Sequence, residues 1–133
     1  FDNYNDKFGA PYCNFMNANT ILGNVILPAA ISIEVNYFGK SADDMYELIS
    51  NYFGEEAAEE LKDVYYDYAV ENPFYFLEYA IGYSIYQQKL REAQQLCGAN
   101  FDLLSFHETY LNIGPTYFNI SMPMMDEWIN EHK

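Results

Sequence analysis

The feature that most constrains this chain is the set of helix start and stop signals in residues 71–115. The distances between these signals match the lengths of ordinary helices. Pro73 precedes a long apolar run, which ends in a polar loop that holds Gly98. Asp102 then offers a capping side chain to a short segment that closes at Gly114 and Pro115. Proline suits the first turn of a helix, and glycine suits the position after the last turn. The pattern predicts a long helix, a loop and a shorter helix.

The remaining segments repeat apolar residues with the helical period, and none alternates as a strand does. Ser41 is an N-cap signal, Gly54 a stop, Pro28 a predicted kink in a buried helix, and Trp128 an apolar anchor of the last helix. These signals predict an all-α helical bundle of five to six helices. We expect an irregular lead-in over 1–14 and a single helical domain over 15–133. The predicted helices cover 15–35, 41–52, 55–72, 73–96, 102–112 and 119–131.

Charge and length exclude several classes of protein. The net charge is −14 with only six basic residues, which argues against binding to nucleic acid or to anionic lipid. The longest apolar segment, 21–35, is short and interrupted by polar residues, so we expect no membrane span. The chain begins at Phe1, which predicts a processed chain, a domain or a proteolytic fragment. Fourteen tyrosines and ten phenylalanines can build a core, line a groove or form an interface.

The sequence holds no complete set of residues for metal binding or nucleophilic catalysis. A helical zinc site needs two histidines four residues apart, but Leu111 stands four residues after His107. The other histidine, His132, is near the end of the chain. Cys13 and Cys97 belong to no metal-binding spacing, and two buried free thiols are favoured over a disulfide between them. We therefore expect no metal site and no cofactor in this chain.

Several short motifs follow one another in order over roughly residues 20–131. They are Val35-Asn36-Tyr37-x-Gly39 with Ser41, Tyr52-Phe53-Gly54, Pro73, Tyr79-x-x-Gly82-Tyr83, Phe101-Asp102-x-x-x-Phe106-His107 and Gly114-Pro115. Together they resemble the C-terminal part of a bacterial family known as domain of unknown function 885. Ser32, Glu34 and Lys40 depart from the family pattern, which usually has Asp, Gly and Trp there.

The resemblance implies the C-terminal portion of a larger all-α fold, similar to zinc metallopeptidases of the HExxH type such as the carboxypeptidase Taq, thimet oligopeptidase and angiotensin-converting enzyme groups. This chain would form one wall of the substrate cleft, and zinc would be held by the parent protein. The expected partners are the missing N-terminal part of the same protein, a peptide substrate and, through exposed apolar surface, a second copy of the chain. The resemblance favours a bacterial protein that is extracellular or at the cell surface over a cytoplasmic one.

The resemblance assigns a role to Tyr79, and four further residues are candidates for contact with the substrate. Tyr79 would donate a hydrogen bond to the oxyanion that forms when water attacks the peptide carbonyl. Tyr83, His107, Asn36 and Tyr37 would contact the substrate. The residues alone leave other interpretations open. The two helix tyrosines can be core residues, His107 a hydrogen-bonded structural residue, and Asn36 and Tyr37 caps of a helix end.

Gly82 follows Tyr79 by three residues and removes a side chain from the surface beside it. Either a substrate or a neighbouring helix could approach there.

Two functions follow from the sequence. One is the cleft wall of a metallopeptidase-like hydrolase, in which this chain alone is inactive. The alternative is a non-enzymatic helical module that binds a peptide or a protein through its tyrosine-rich surface. Whether the parent protein is an enzyme is left open by the sequence.

Overall fold

A computed structural model describes residues 9–133, which form six helices and contain no strand. The all-α prediction is therefore confirmed. The first helix, α1, comprises the α-helical parts Ala10–Ile21 and Leu27–Asn36, joined by a π-helical turn at Leu22–Ile26. The other helices are α2 Ala42–Phe53, α3 Glu55–Glu71, α4 Tyr75–Cys97, α5 Leu103–Ile113 and α6 Phe118–His132, with a 3₁₀ turn at Gly98–Asn100.

The predicted irregular lead-in over 1–14 overlaps the described part of the chain at residues 9–14. Residues 1–8 lie outside the described part of the chain, but α1 begins at Ala10. The lead-in prediction is therefore wrong for 10–14. Pro11 occupies the first turn of α1, where a proline costs no intrahelical hydrogen bond.

The chain divides into two compact units, although the sequence led us to expect one domain over 15–133. Unit 1 comprises the described residues up to Ile81, and unit 2 comprises Gly82–Lys133. Helix α4 contributes residues to both units, and its backbone is continuous across the boundary.

Unit 1 is held together by α3, which packs against α2 and against the second part of α1. Two alanines of α3, Ala58 and Ala69, are buried and let the neighbouring helices approach closely. Half-buried aromatic residues of α3, including Tyr65, surround this core. The buried apolar residues of unit 1 that form this cluster are Leu27, Ile31, Val35, Met45, Ile49, Ala58 and Ala69.

The kink predicted at Pro28 takes the form of the π turn in α1. The N–H of Leu27 bonds to the carbonyl of Leu22, five residues back, and Pro28 has no N–H to offer the carbonyl of Gly23. The hydroxyl of Tyr65 satisfies that carbonyl instead, with an Oη to O distance of 3.1 Å. Burial raises the pKa of the Tyr65 phenol. Pro28 thus leaves the Gly23 carbonyl without a backbone donor, and the hydrogen bond from Tyr65 to this carbonyl connects α3 to α1.

Two predicted helix caps are present. Ser41 and Asp44 form a capping box at the start of α2, in which the Ser41 N–H donates to the Asp44 carboxylate at 2.8 Å. The Asp102 carboxylate accepts from the N–H of Leu104 at 2.9 Å and starts α5. The start predicted at Pro73 is wrong, because α4 begins at Tyr75 and Pro73 belongs to the preceding turn.

Unit 2 is built from the C-terminal part of α4 together with α5 and α6. Trp128 of α6 is buried, and its indole N–H donates to the Ser105 hydroxyl at 3.2 Å. Ala93 of α4 is fully buried in this unit. The cysteine prediction is confirmed, because Cys13 and Cys97 are both free and buried. The buried residues of the unit 2 core are Ala93, Cys97, Phe106, Met125, Trp128 and Ile129.

One described helix, Pro11–Asn36, is long and apolar enough to span a membrane by length and composition, with a mean hydropathy of 1.4. A third of its most apolar window is buried in the structure, and its second part supplies core residues of unit 1. Core helices of soluble proteins meet the same criterion, so the observation is weak evidence for a span. The expected absence of a membrane span stays a prediction.

Candidate functional site: the tyrosine cluster and the His107 groove

Tyr79, the predicted oxyanion donor, lies on the surface of α4 and not in a core. Its side chain is 53% exposed, and its hydroxyl lies 2.9 Å from the hydroxyl of Tyr75, one helical turn earlier. The interpretation of Tyr79 as a buried core tyrosine is therefore wrong. The phenol is available to a molecule that approaches this face of unit 1.

Tyr79 belongs to a group of four aromatic rings that we call the tyrosine cluster: Tyr68, Tyr75, Phe76 and Tyr79. The rings of Tyr75 and Tyr79 are 5.2 Å apart at 57°, and those of Tyr68 and Phe76 are 5.1 Å apart at 40°. Tyr75 also meets Phe76 edge to face at 5.4 Å. Edge-to-face and tilted pairs at these distances are the favoured arrangements of aromatic rings. The cluster joins α3 to the start of α4.

The surroundings of Tyr79 raise the pKa of its phenol. The hydrogen bond with Tyr75 is the largest cause, and the negative charge of Glu78 acts in the same direction. A tyrosine is protonated at neutral pH even at its ordinary pKa, so the Tyr79 hydroxyl can donate a hydrogen bond there.

The tyrosine cluster is placed by a strained turn between α3 and α4. Phe74 has a φ of 62°, in the left-handed region that bulky residues rarely adopt. Its N–H donates to the hydroxyl of Ser32 at 2.9 Å, and Ser32 is only 1% exposed. A side chain of α1 thus holds the backbone of the turn directly before Tyr75. Such strain persists only where the surrounding structure holds it in place.

Asn36 is linked to the same turn through Ser32, and its role in contacting a substrate stays a prediction. Its amide donates to the carbonyls of Ser32 and Ala69, both at 3.0 Å, and to the Ser32 hydroxyl at 3.3 Å. These bonds tie the end of α1 to the end of α3. The interpretation of Asn36 as a residue that satisfies backbone groups fits the geometry. Tyr37 follows it, is 76% exposed and contacts the ring of Phe38 edge to face.

Gly82 and Tyr83 belong to unit 2. A Cβ at Gly82 would lie 3.4 Å from the ring of Phe118, so the glycine admits a neighbouring helix, which is one of the two alternatives that the sequence left open. Tyr83 is half-buried.

His107 lies in an apolar groove of unit 2, which we call the His107 groove. Its ring lies 6.2 Å from that of Tyr86. The groove has a volume of about 580 Å³, and Leu111 at its edge is 74% exposed. The residues that line it are Tyr86, Gln87, Leu90, Gln94, Leu103, His107, Tyr110 and Leu111.

The described residues contain no group of three or more His, Cys, Asp or Glu side chains that could hold a metal ion. The resemblance implies that zinc is held by the parent protein, and this expectation stays a prediction. Comparisons with protein-family models, curated proteins and solved structures find no match. The resemblance therefore rests on the sequence motifs quoted above and stays a prediction.

Two residues of this site were not identified from the sequence. Tyr75 precedes Tyr79 by four residues, a spacing that places both on one helix face and could have revealed the pair. Ser32 attracted attention only as a departure from the family pattern. Its bond to Phe74 joins residues 42 positions apart, and no local signal indicates such a contact.

Proposed function

We propose that this chain forms one wall of the substrate cleft of a peptidase-like hydrolase, with Tyr79 as a hydrogen-bond donor to the reacting carbonyl. The observation that carries the proposal is the exposed Tyr79 phenol, whose hydroxyl lies 2.9 Å from that of Tyr75. One donor aimed at a developing oxyanion is worth about 2.7–4 kcal/mol of transition-state stabilisation. Ser32 and Asn36 would act as positioning residues through the Phe74 turn.

The proposal requires that the metal and its ligands come from residues outside this chain. The role of this chain is a single hydrogen bond, donated by the Tyr79 hydroxyl to the reacting carbonyl oxygen. This chain alone would be inactive, with or without added zinc.

The test begins with the gene. An HExxH motif followed by a further glutamate, encoded upstream of Phe1, is expected, and the full gene product should hydrolyse peptides in a zinc-dependent manner. The matched control is the 133-residue chain alone, which should neither hydrolyse peptides nor bind zinc stoichiometrically by calorimetry. An upstream sequence without such a motif, or tight zinc binding by the chain alone, would contradict the proposal.

A second candidate function is a helical binding module, and the His107 groove favours it. The groove is lined mostly by apolar side chains, and polar amides of Gln87 and Gln94 stand among them. Most ligand sites combine an apolar lining with a few polar groups in this way. Peptide binding that is lost in Leu90→Asp, and kept when Tyr79→Phe, would support the binding module. Binding unchanged by Leu90→Asp would exclude the groove as its site.

A further inference from the structure

We infer that the tyrosine cluster is a binding site for a basic peptide side chain, so that the substrate of the proposed cleft carries an arginine or lysine near its reacting bond. This inference rests on the proposed function and names its substrate class. Three observations carry it: the open ring faces, the local charge and the rigidity of the cluster.

The rings are exposed enough to meet a ligand. Tyr68, Tyr75 and Tyr79 are all classed among the exposed residues of the chain, although each contacts at least one other ring. A guanidinium or ammonium group near the face of an aromatic ring is attracted by the negative potential of that face. The three residues are 38%, 44% and 53% exposed, so part of each remains open to solvent beside its contact with a neighbouring ring.

The stretch of sequence that holds the cluster is acidic. Residues 63–88 contain four acidic residues and no Lys or Arg. Glu78 is close enough to Tyr79 to influence its phenol electrostatically. The whole chain carries a net charge of −14, which draws cations toward it and repels anions. The four acidic residues are Asp63, Asp67, Glu71 and Glu78.

The cluster is also held in place before any ligand arrives. The Phe74 N–H to Ser32 bond fixes the start of α4, and the hydroxyl pair of Tyr75 and Tyr79 fixes the two rings relative to each other. A site whose side chains are already ordered loses little conformational entropy on binding. An apolar side chain would gain contact area on these rings, but only a cation also gains from the acidic surroundings.

The test uses two short peptides with the 133-residue chain and with the full gene product. The probes are acetyl-Ala-Arg-Ala-amide and its citrulline analogue, which has nearly the same shape and no charge. With ring-labelled tyrosines, we expect NMR shifts at the cluster and an affinity for the arginine peptide about fivefold or more above that for citrulline. The difference should shrink at high salt, because exposed charges are screened.

Three variants separate the contributions. Tyr75→Leu removes a ring face and should abolish the preference for arginine. Tyr79→Phe keeps the ring and removes only the hydroxyl pair, so it should weaken both affinities alike and retain the preference. The matched control, Tyr52→Leu, removes an exposed tyrosine of unit 1 outside the cluster and should change nothing. Equal affinity for the two peptides, which needs no variant to measure, would overturn the inference even if Tyr75→Leu fails to fold.

The results also distinguish this inference from the proposed function. Preferential arginine binding together with full peptidase activity in Tyr79→Phe would keep the cation site and remove the oxyanion donor. Loss of activity in Tyr79→Phe without preference for the arginine peptide would keep the donor and overturn the cation site.

Discussion

Ser32→Ala removes one oxygen atom, and it should lower the free energy of unfolding of unit 1 because that oxygen accepts two hydrogen bonds. The Ser32 hydroxyl accepts from the Phe74 N–H at 2.9 Å and from the Asn36 amide at 3.3 Å, and the side chain is 1% exposed. Alanine leaves the Phe74 N–H without that acceptor, and a buried donor left unsatisfied costs about 1–3 kcal/mol. Asn36 keeps its two carbonyl partners, so its contribution is smaller.

Two effects place the expected loss within that range. Phe74 is partly exposed, so water can reach the turn and reduce the penalty. If the turn instead relaxes out of the left-handed region, it recovers roughly 1–2 kcal/mol of backbone strain. We therefore expect the free energy of unfolding of unit 1 to fall by about 1–2 kcal/mol, near the lower part of the range for unsatisfied buried donors.

The assay is urea unfolding followed by circular dichroism, combined with hydrogen exchange at the Phe74 amide. The midpoint should fall by about 1 M for a typical slope, and Phe74 exchange should accelerate. Ser50→Ala is the control, because Ser50 bonds within its own helix and its loss should change stability by less than about 0.5 kcal/mol. An unchanged midpoint together with unchanged Phe74 exchange would refute the role of Ser32.

Three further outcomes are expected. Lys89→Met should lower the free energy of unfolding by about 1 kcal/mol at pH 7, because Lys89 is 13% exposed and bonds to Asp126 at 2.5 Å. Burial alone would lower the pKa of Lys89, but its carboxylate partners outweigh burial and raise the pKa. The stabilisation by Lys89 should therefore be complete below the ordinary value of 10.5 and vanish as the pH rises through the folded pKa. A stability difference between Lys89→Met and the unmodified chain that persists above the folded pKa would contradict this prediction. Tyr65→Phe should cost about 1 kcal/mol by leaving the Gly23 carbonyl without its hydroxyl donor, and an unchanged urea midpoint would contradict this. The isolated chain should bind a hydrophobic dye or self-associate through exposed apolar residues such as Leu111. A monomer in sedimentation that binds no dye would contradict this.

The helices could be predicted from the sequence because their signals are local. Ser41 caps α2 and Asp102 caps α5 through residues two or three positions away, so each cap can be recognised in a short window. Pro73 misled the prediction for a physical reason. The fixed φ of proline suits a β-turn as well as the first turn of a helix. The turn at Pro73 and Phe74 is stabilised by the hydroxyl of Ser32, a residue distant in sequence.

The candidate site was less predictable than the fold for the same reason. The exposure of Tyr79 depends on how α4 packs, and an apolar run around the helix does not reveal which side faces the core. The bonds of Asn36 to Ala69 and of Tyr65 to Gly23 join residues more than 30 positions apart. Contacts of this kind follow from the packing of whole helices and leave no periodic trace in the sequence.

The most direct test of the central claim is the steady-state kinetics of Tyr79→Phe in the full gene product. The claim predicts that kcat falls by roughly 10²–10³ while KM stays nearly constant, because an oxyanion donor acts mainly in the transition state. Tyr83→Phe should have a smaller effect, and the melting temperature should barely change in either variant because both rings remain. Full activity in Tyr79→Phe, with or without a loss of stability, would contradict the claim.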